Sequence, residues 1–174
     1  MASVTEKHAL RGLSACTLDP ITDPRWAELL RVAPSASVFH HPAWLALVRD
    51  TYRYPMNAVC VQDRAGALVA GLPIATVRSR LTGTRLVSVP FSDLCGPLLC
   101  AAEHESALMA AIDAERRRAS LRLEVHAELP GLPDGAPWER FYHHVVPLEG
   151  GIDEVRRRMS SKKRAGAARS SRQG

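Results

Sequence analysis

The densest group of side chains able to do chemistry is the run Pro90-Phe91-Ser92-Asp93-Leu94-Cys95-Gly96-Pro97. A serine and a cysteine on either side of an aspartate would suit nucleophilic chemistry, but such a nucleophile also needs a positioned base, most often histidine. No histidine adjoins the run, so a turn capped by Asp93 is the plainer role. Ser92 and Asp93 remain candidates for substrate binding, because polar residues in the loop beyond a strand end lie where α/β sheets place their ligands. Trp44 is a third candidate. It would line a substrate groove if its ring faced outward, and it is core if it packs with Leu47 and Val48.

The pairs His40-His41 and His143-His144 raise the question of a metal. Adjacent residues on a strand point to opposite faces, so His143 and His144 cannot chelate together there. His40 and His41 precede a helix, where capping accounts for them. The four cysteines, Cys16, Cys60, Cys95 and Cys100, form no C-x-x-C pair and show no zinc spacing. No metal site is expected, and free thiols in a reducing cytoplasm are the simple reading. No Walker loop, G-x-S-x-G elbow, H-E-x-x-H or dinucleotide fingerprint occurs.

The remaining chemistry is electrostatic. Of 23 Lys and Arg residues, eight lie beyond Glu154, the last acidic residue, so the net charge of +5 belongs to the tail and residues 1–155 carry −3. Within that tail Lys162, Lys163, Arg164 and Arg169 are candidate contacts for an anionic donor or for nucleic-acid phosphates. The tail has no aromatic residue to stack on bases, so a solvated basic helix is the alternative.

These residues need a scaffold, and 174 residues with 46% hydrophobic content fit one core. The first twenty residues lack the apolar stretch of a secretory leader, and no run approaches the roughly 20 apolar residues of a membrane span. A cytoplasmic protein without a membrane span is expected. A strand over 12–19 leads to a helix capped by Asp23 and opened by Pro24, its buried face Trp26, Leu29, Leu30 and Ala33. A second helix starts near Pro42 with an apolar stripe of Trp44, Leu45, Leu47 and Val48. From Asn57 the period falls to two, predicting a hairpin with its turn at Asp63 to Gly66, and then a strand over 85–90. Glu103 to Ala119 reads as a helix, acidic at its start and basic at its end. Alternation of Leu121, Leu123 and Val125 with Arg122, Glu124 and His126 predicts a strand, and 141–148 reads as another. A last helix carries Ile152, Val155 and Met159, and beyond about Ser160 the composition predicts poor order. The result is a mixed α/β sheet with helices on both faces.

Three stretches then show a resemblance. VFHHPAWLALVRDTY (38–52) resembles the F-x-H-P-x-W-L helix opening of FemAB-like proteins. LVSVPFSDLCGPLL (86–99) resembles their P-F-S-D strand end followed by G-P-L, and MSSKKRAGAARSSRQG (159–174) resembles the basic helix after their first lobe. In that last stretch Ala168 stands where isoleucine is common, and Ser170-Ser171 where Lys-Ala is common. The resemblance implies a GNAT-like (acyl-CoA N-acyltransferase) α/β fold, with residues 1–150 as a first lobe and 151–174 as a basic linker helix leading to a C-terminal GNAT lobe that is missing here. It implies transfer of an acyl or aminoacyl group to an amine on a small-molecule or cell-envelope-precursor acceptor. The donor for the complete enzyme would be acyl-CoA or aminoacyl-tRNA, which makes tRNA a possible partner.

A working GNAT lobe seats the CoA pyrophosphate on backbone N–H groups at a helix N-terminus. Here the interval PFSDLCGPLLCAAEHES holds one glycine, then Pro97, which lacks a donor, then Glu103 and Glu105. No cofactor and no catalytic residue are therefore assigned to this lobe, which is expected to be inactive alone. A nucleic-acid-binding or non-catalytic scaffold module is the competing function.

Overall fold

The computed structural model describes residues 12–127, 129, 142 and 146–173, and the chain divides into two units, Met1–Ala136 and Pro137–Gly174. Among its described residues the first unit holds a six-stranded sheet of β1 (Ser14–Leu18), β2 (Met56–Gln62), β3 (Leu68–Ser79), β4 (Gly83–Val87), β5 (Leu98–Leu99) and β6 (Arg122–Glu124). The order is β1-β2-β3-β4-β6, with β5 also paired to β3. Among these described strands every pairing is antiparallel except that of β4 with β6, which is parallel. The sheet is therefore mixed, and helices cover both faces.

Helix α1 (Pro24–Val32) begins as expected: Asp23 accepts from the Arg25 N–H, and Pro24 needs no partner. Its inward residues Trp26 and Leu29 pack with Ala58, Cys60 and Leu98. The closeness of this helix to the sheet rests on Gly71, where an added Cβ would lie 2.8 Å from Trp26 Cζ3. Helix α2 (Pro42–Tyr52) is capped by the His41 side chain, which accepts from the Ala43 N–H, and it covers Met56, Ala75, Val77 and Val87 through Leu45 and Val48. Leu47 does not join this face and is 55% exposed. At about 100° per residue it lies roughly 200° around the helix from Leu45, on the flank it shares with Trp44.

The opposite face is covered by α3 (Glu105–Ala119), which packs Leu108, Met109 and Ile112 onto Val59, Val61, Leu72 and Ile74. A short 3₁₀ turn, Ala102–His104, precedes it, so Glu103 and Glu105 both sit at the positive end of the helix dipole. At the other end Asp113, 9% exposed, pairs with Arg116 (2.7 Å) and Arg117 (2.8 Å). The Arg116 hydrogen bond, before any other cause, holds its carboxyl below the usual range.

The second unit contains α4 (Gly151–Arg158) and α5 (Ser161–Gln173). Residues 161–173, where the composition predicts poor order, take a helical backbone, as the helix propensity of Lys, Arg, Ala and Gln allows. The basic segment, expected to form a single helix, holds two, because Met159 takes an extended backbone between them. The strand expected over 141–148 falls largely outside the described residues. Of it, Tyr142 and 146–148 belong to no element and are exposed.

Candidate functional site

The site is built at a break in a strand. β4 pairs with Ala75 to Ser79 of β3, and β5 pairs with Ala70 and Gly71 along the same strand, so the chain leaves the ladder after Val87 and rejoins it at Leu98. The expected strand to Pro90 stops short because Val89 and Phe91 take left-handed backbone (φ 60° and 63°). This conformation is costly for a β-branched or bulky residue and persists only where surroundings enforce it.

The enforcement is visible in the bonds. The Val89 N–H donates to Val87 O (2.8 Å), closing a tight turn, and the Val89 side chain is fully buried under α2. Ser88 is fully buried; its N–H donates to Glu124 O (2.9 Å), and its Oγ accepts from the His126 N–H (2.9 Å). Ser92, 4% exposed, accepts at Oγ from Trp44 Nε1 (3.0 Å) and at its carbonyl from His126 Nδ1 (2.8 Å). The Cys95 N–H reaches His126 O (3.0 Å). Gly96 O accepts from His40 Nε2 (2.9 Å), and Pro97 O from the Ser35 hydroxyl (3.1 Å). The loop is thus pinned from the start of α2 and from the strand end after β6.

Of the three residues expected here, the structure brings Trp44 and Ser92 into direct contact and turns Asp93 out to solvent. Asp93 makes no hydrogen bond among the described residues, so it does not cap the turn. Trp44 is half-buried and meets Phe39 edge-on, their centroids 5.6 Å apart. Phe91 is 57% exposed and stacks on Tyr52 at 4.3 Å, and Tyr52 in turn stacks on Tyr54 at 5.8 Å. The pinned loop therefore presents an aromatic ring, a free carboxylate and Leu94 to solvent beyond the carboxyl ends of the parallel pair β4 and β6.

Among the members of this site that sequence reasoning missed are His126, Glu124 and Arg85. Arg85 Nε holds Glu124 Oε2 at 3.1 Å, and Glu124 Oε1 lies 3.4 Å from His126 Nε2. The one signal for them was their place on the polar side of strand alternation. A histidine does stand beside Ser92 in space, but it holds the backbone carbonyl and not the hydroxyl. Ser92 therefore has no base at its Oγ. Cys95 is buried and its thiol is pushed up to about 12 by desolvation, which makes it a poor nucleophile.

His40 has a structural role. It is 2% exposed, its Nδ1 accepts from the Ser37 N–H (3.2 Å), and its carbonyl accepts from Trp26 Nε1 (2.9 Å). Burial holds its pKa below the ordinary histidine value. His143 and His144 lie outside the described residues. Among the described residues no group of three or more His, Cys, Asp or Glu side chains is placed to hold a metal ion, and no helix is long and apolar enough to cross a membrane.

The four tail cations are exposed. Arg164 turns back to cap α4, with Nη1 donating to Met159 O (2.9 Å) and to the carbonyls of Arg156 and Arg157 (3.3 Å each). Arg157 and Arg158 pair with Glu154, and Arg156 with Asp153. Lys162, Lys163 and Arg169 have no ion pair among the described residues.

Comparison of the chain with family models, with curated proteins and with solved structures gave no match.

Proposed function

We propose that this chain is a GNAT-like first lobe of a FemAB-like acyl- or aminoacyltransferase, in which the loop 88–97 helps to seat an amine acceptor. The observation that carries the reading is the pinned loop at the carboxyl ends of β4 and β6, where open α/β sheets place ligands. Asp93 offers an unpartnered carboxylate to an ammonium group, and Phe91 and Tyr52 offer apolar faces beside it. Trp44, Ser92 and His126 orient the loop. Glu103 and Glu105 at the start of α3 oppose a phosphate there, so acyl donation belongs to a second lobe and this chain alone turns over no acyl-CoA.

The test is a titration with a lysine-containing cell-envelope peptide, followed through the Trp44 indole by fluorescence, with Trp44→Phe identifying the signal. Saturable binding that weakens at least about tenfold in Asp93→Asn, as loss of a charge-assisted hydrogen bond implies, supports the reading. Equal binding by wild type and Asp93→Asn, or amine-dependent CoA release by the chain alone, contradicts it.

A second reading, nucleic-acid binding, is favoured by one observation: α5 carries no acidic residue in its first turn and leaves Lys162, Lys163 and Arg169 unneutralised. The salt dependence of duplex binding tests it.

A further inference from the structure

The β1–β2 ladder sets Cys16 directly opposite Cys60. Opposed residues of an antiparallel pair have Cα atoms about 4.5–5.5 Å apart, inside the roughly 4.4–6.8 Å that a disulfide spans, and their side chains share a face. Here that face lies under α1. Cys60 is fully buried with Trp26 and Leu29, and Cys16, half-buried, packs against the same cluster. The guanidinium of Arg25, fixed by Asp23 (2.7 Å) and Gln62 (3.0 Å), lies within Coulombic range of both sulfurs. A neighbouring cation favours the thiolate, the species that attacks disulfides.

We propose that Cys16 and Cys60 form a reversible cross-strand disulfide when the chain meets a small disulfide oxidant of the glutathione type. The Cys16 thiolate attacks one sulfur of the oxidant, forming a mixed disulfide and expelling one glutathione thiolate. Cys60, giving up its proton, then attacks the Cys16 sulfur and expels the second. Two protein thiols are oxidised, one oxidant molecule is reduced to two thiols, and the released protons go to the leaving thiolates. Cys16 reacts first because it has solvent access, and Cys60 resolves the intermediate because the register holds it opposite. The bond would tie the edge strand β1 to the sheet and limit its fraying. Burial raises both thiols, which slows the first step without removing it.

The experiment incubates the full chain with oxidised glutathione, blocks residual thiols, digests it, and identifies the linked peptides by mass spectrometry. The expected product is a Cys16–Cys60 pair lighter than its two reduced peptides by two hydrogens. It should be reversed by dithiothreitol, and the oxidised chain should melt higher by about 5 °C or more. Cys16→Ser should lose both the link and the shift, and Cys100→Ser should keep both. A persistent glutathione adduct on Cys16, a Cys16–Cys100 link, or no loss of thiols overturns the proposal.

Discussion

His40 shows how one buried side chain can hold a loop in place from the core. Its ring and carbonyl join Ser37, Gly96 and Trp26, which ties α1 and the approach to α2 to the pinned loop. The network uses the neutral ring, with Nε2 donating and Nδ1 accepting, and burial disfavours the charged form. Because the folded pKa is depressed, the unfolded chain binds the proton more readily. The contribution of His40 is therefore complete above the unfolded value of about 6.5 and is lost as pH falls from there toward the folded pKa. The melting temperature should fall between pH 8 and pH 5.5 in the wild type, and less steeply in His40→Gln. Parallel pH profiles would show that His40 does not carry this dependence. The sequence marked His40 as a helix-entry residue, which it is, but its bond to Gly96 spans 56 positions and leaves no local trace.

At the scale of elements, what was legible followed periodicity and caps. Trp26 and Leu29 at helical spacing, Asp23-Pro24 at a helix start and the Asp63 turn all took their expected places, because each depends on neighbours within a few residues. The strand break at Val89 was not legible. The alternation of Arg85 to Pro90 reads as an uninterrupted strand, and the opposing bonds come from His126 and Glu124, more than thirty positions away. Close packing of α1 on β3 likewise depends on Gly71, a position periodicity passes over. Gly71→Ala should cost about 1–3 kcal/mol, as overpacking of a filled core does, because the new methyl would meet Trp26 at 2.8 Å and Cys60 Sγ at 3.1 Å. A chemical-denaturation midpoint equal to wild type would show that α1 moves away without cost.

Across the whole molecule, charge divides as the fold does. The unit Met1–Ala136 holds 14 Lys or Arg against 14 Asp or Glu, and Pro137–Gly174 holds nine against four, so the second unit carries the entire net charge of +5. Part of that charge is used internally, by the pairs of Asp153 and Glu154 and by Arg164 on the α4 carbonyls. Lys162 and Lys163 sit in the first turn of α5, where cations oppose the helix dipole. They do not stabilise the helix, and an external polyanion would offset what they cost. If nucleic acid is that polyanion, the logarithm of affinity should fall linearly with the logarithm of salt concentration, by about 0.9 per neutralised phosphate on a DNA duplex. Replacing Lys162, Lys163 and Arg169 together by Gln should then lower the slope by nearly 3 units and weaken binding alike across sequences. Fluorescence anisotropy with a labelled duplex between 50 and 200 mM salt, about the range over which such contacts are lost, reads both quantities. An unchanged slope in the triple variant, or no binding by the wild type at low salt, would remove nucleic acid as the partner of α5 and leave its cations to solvent.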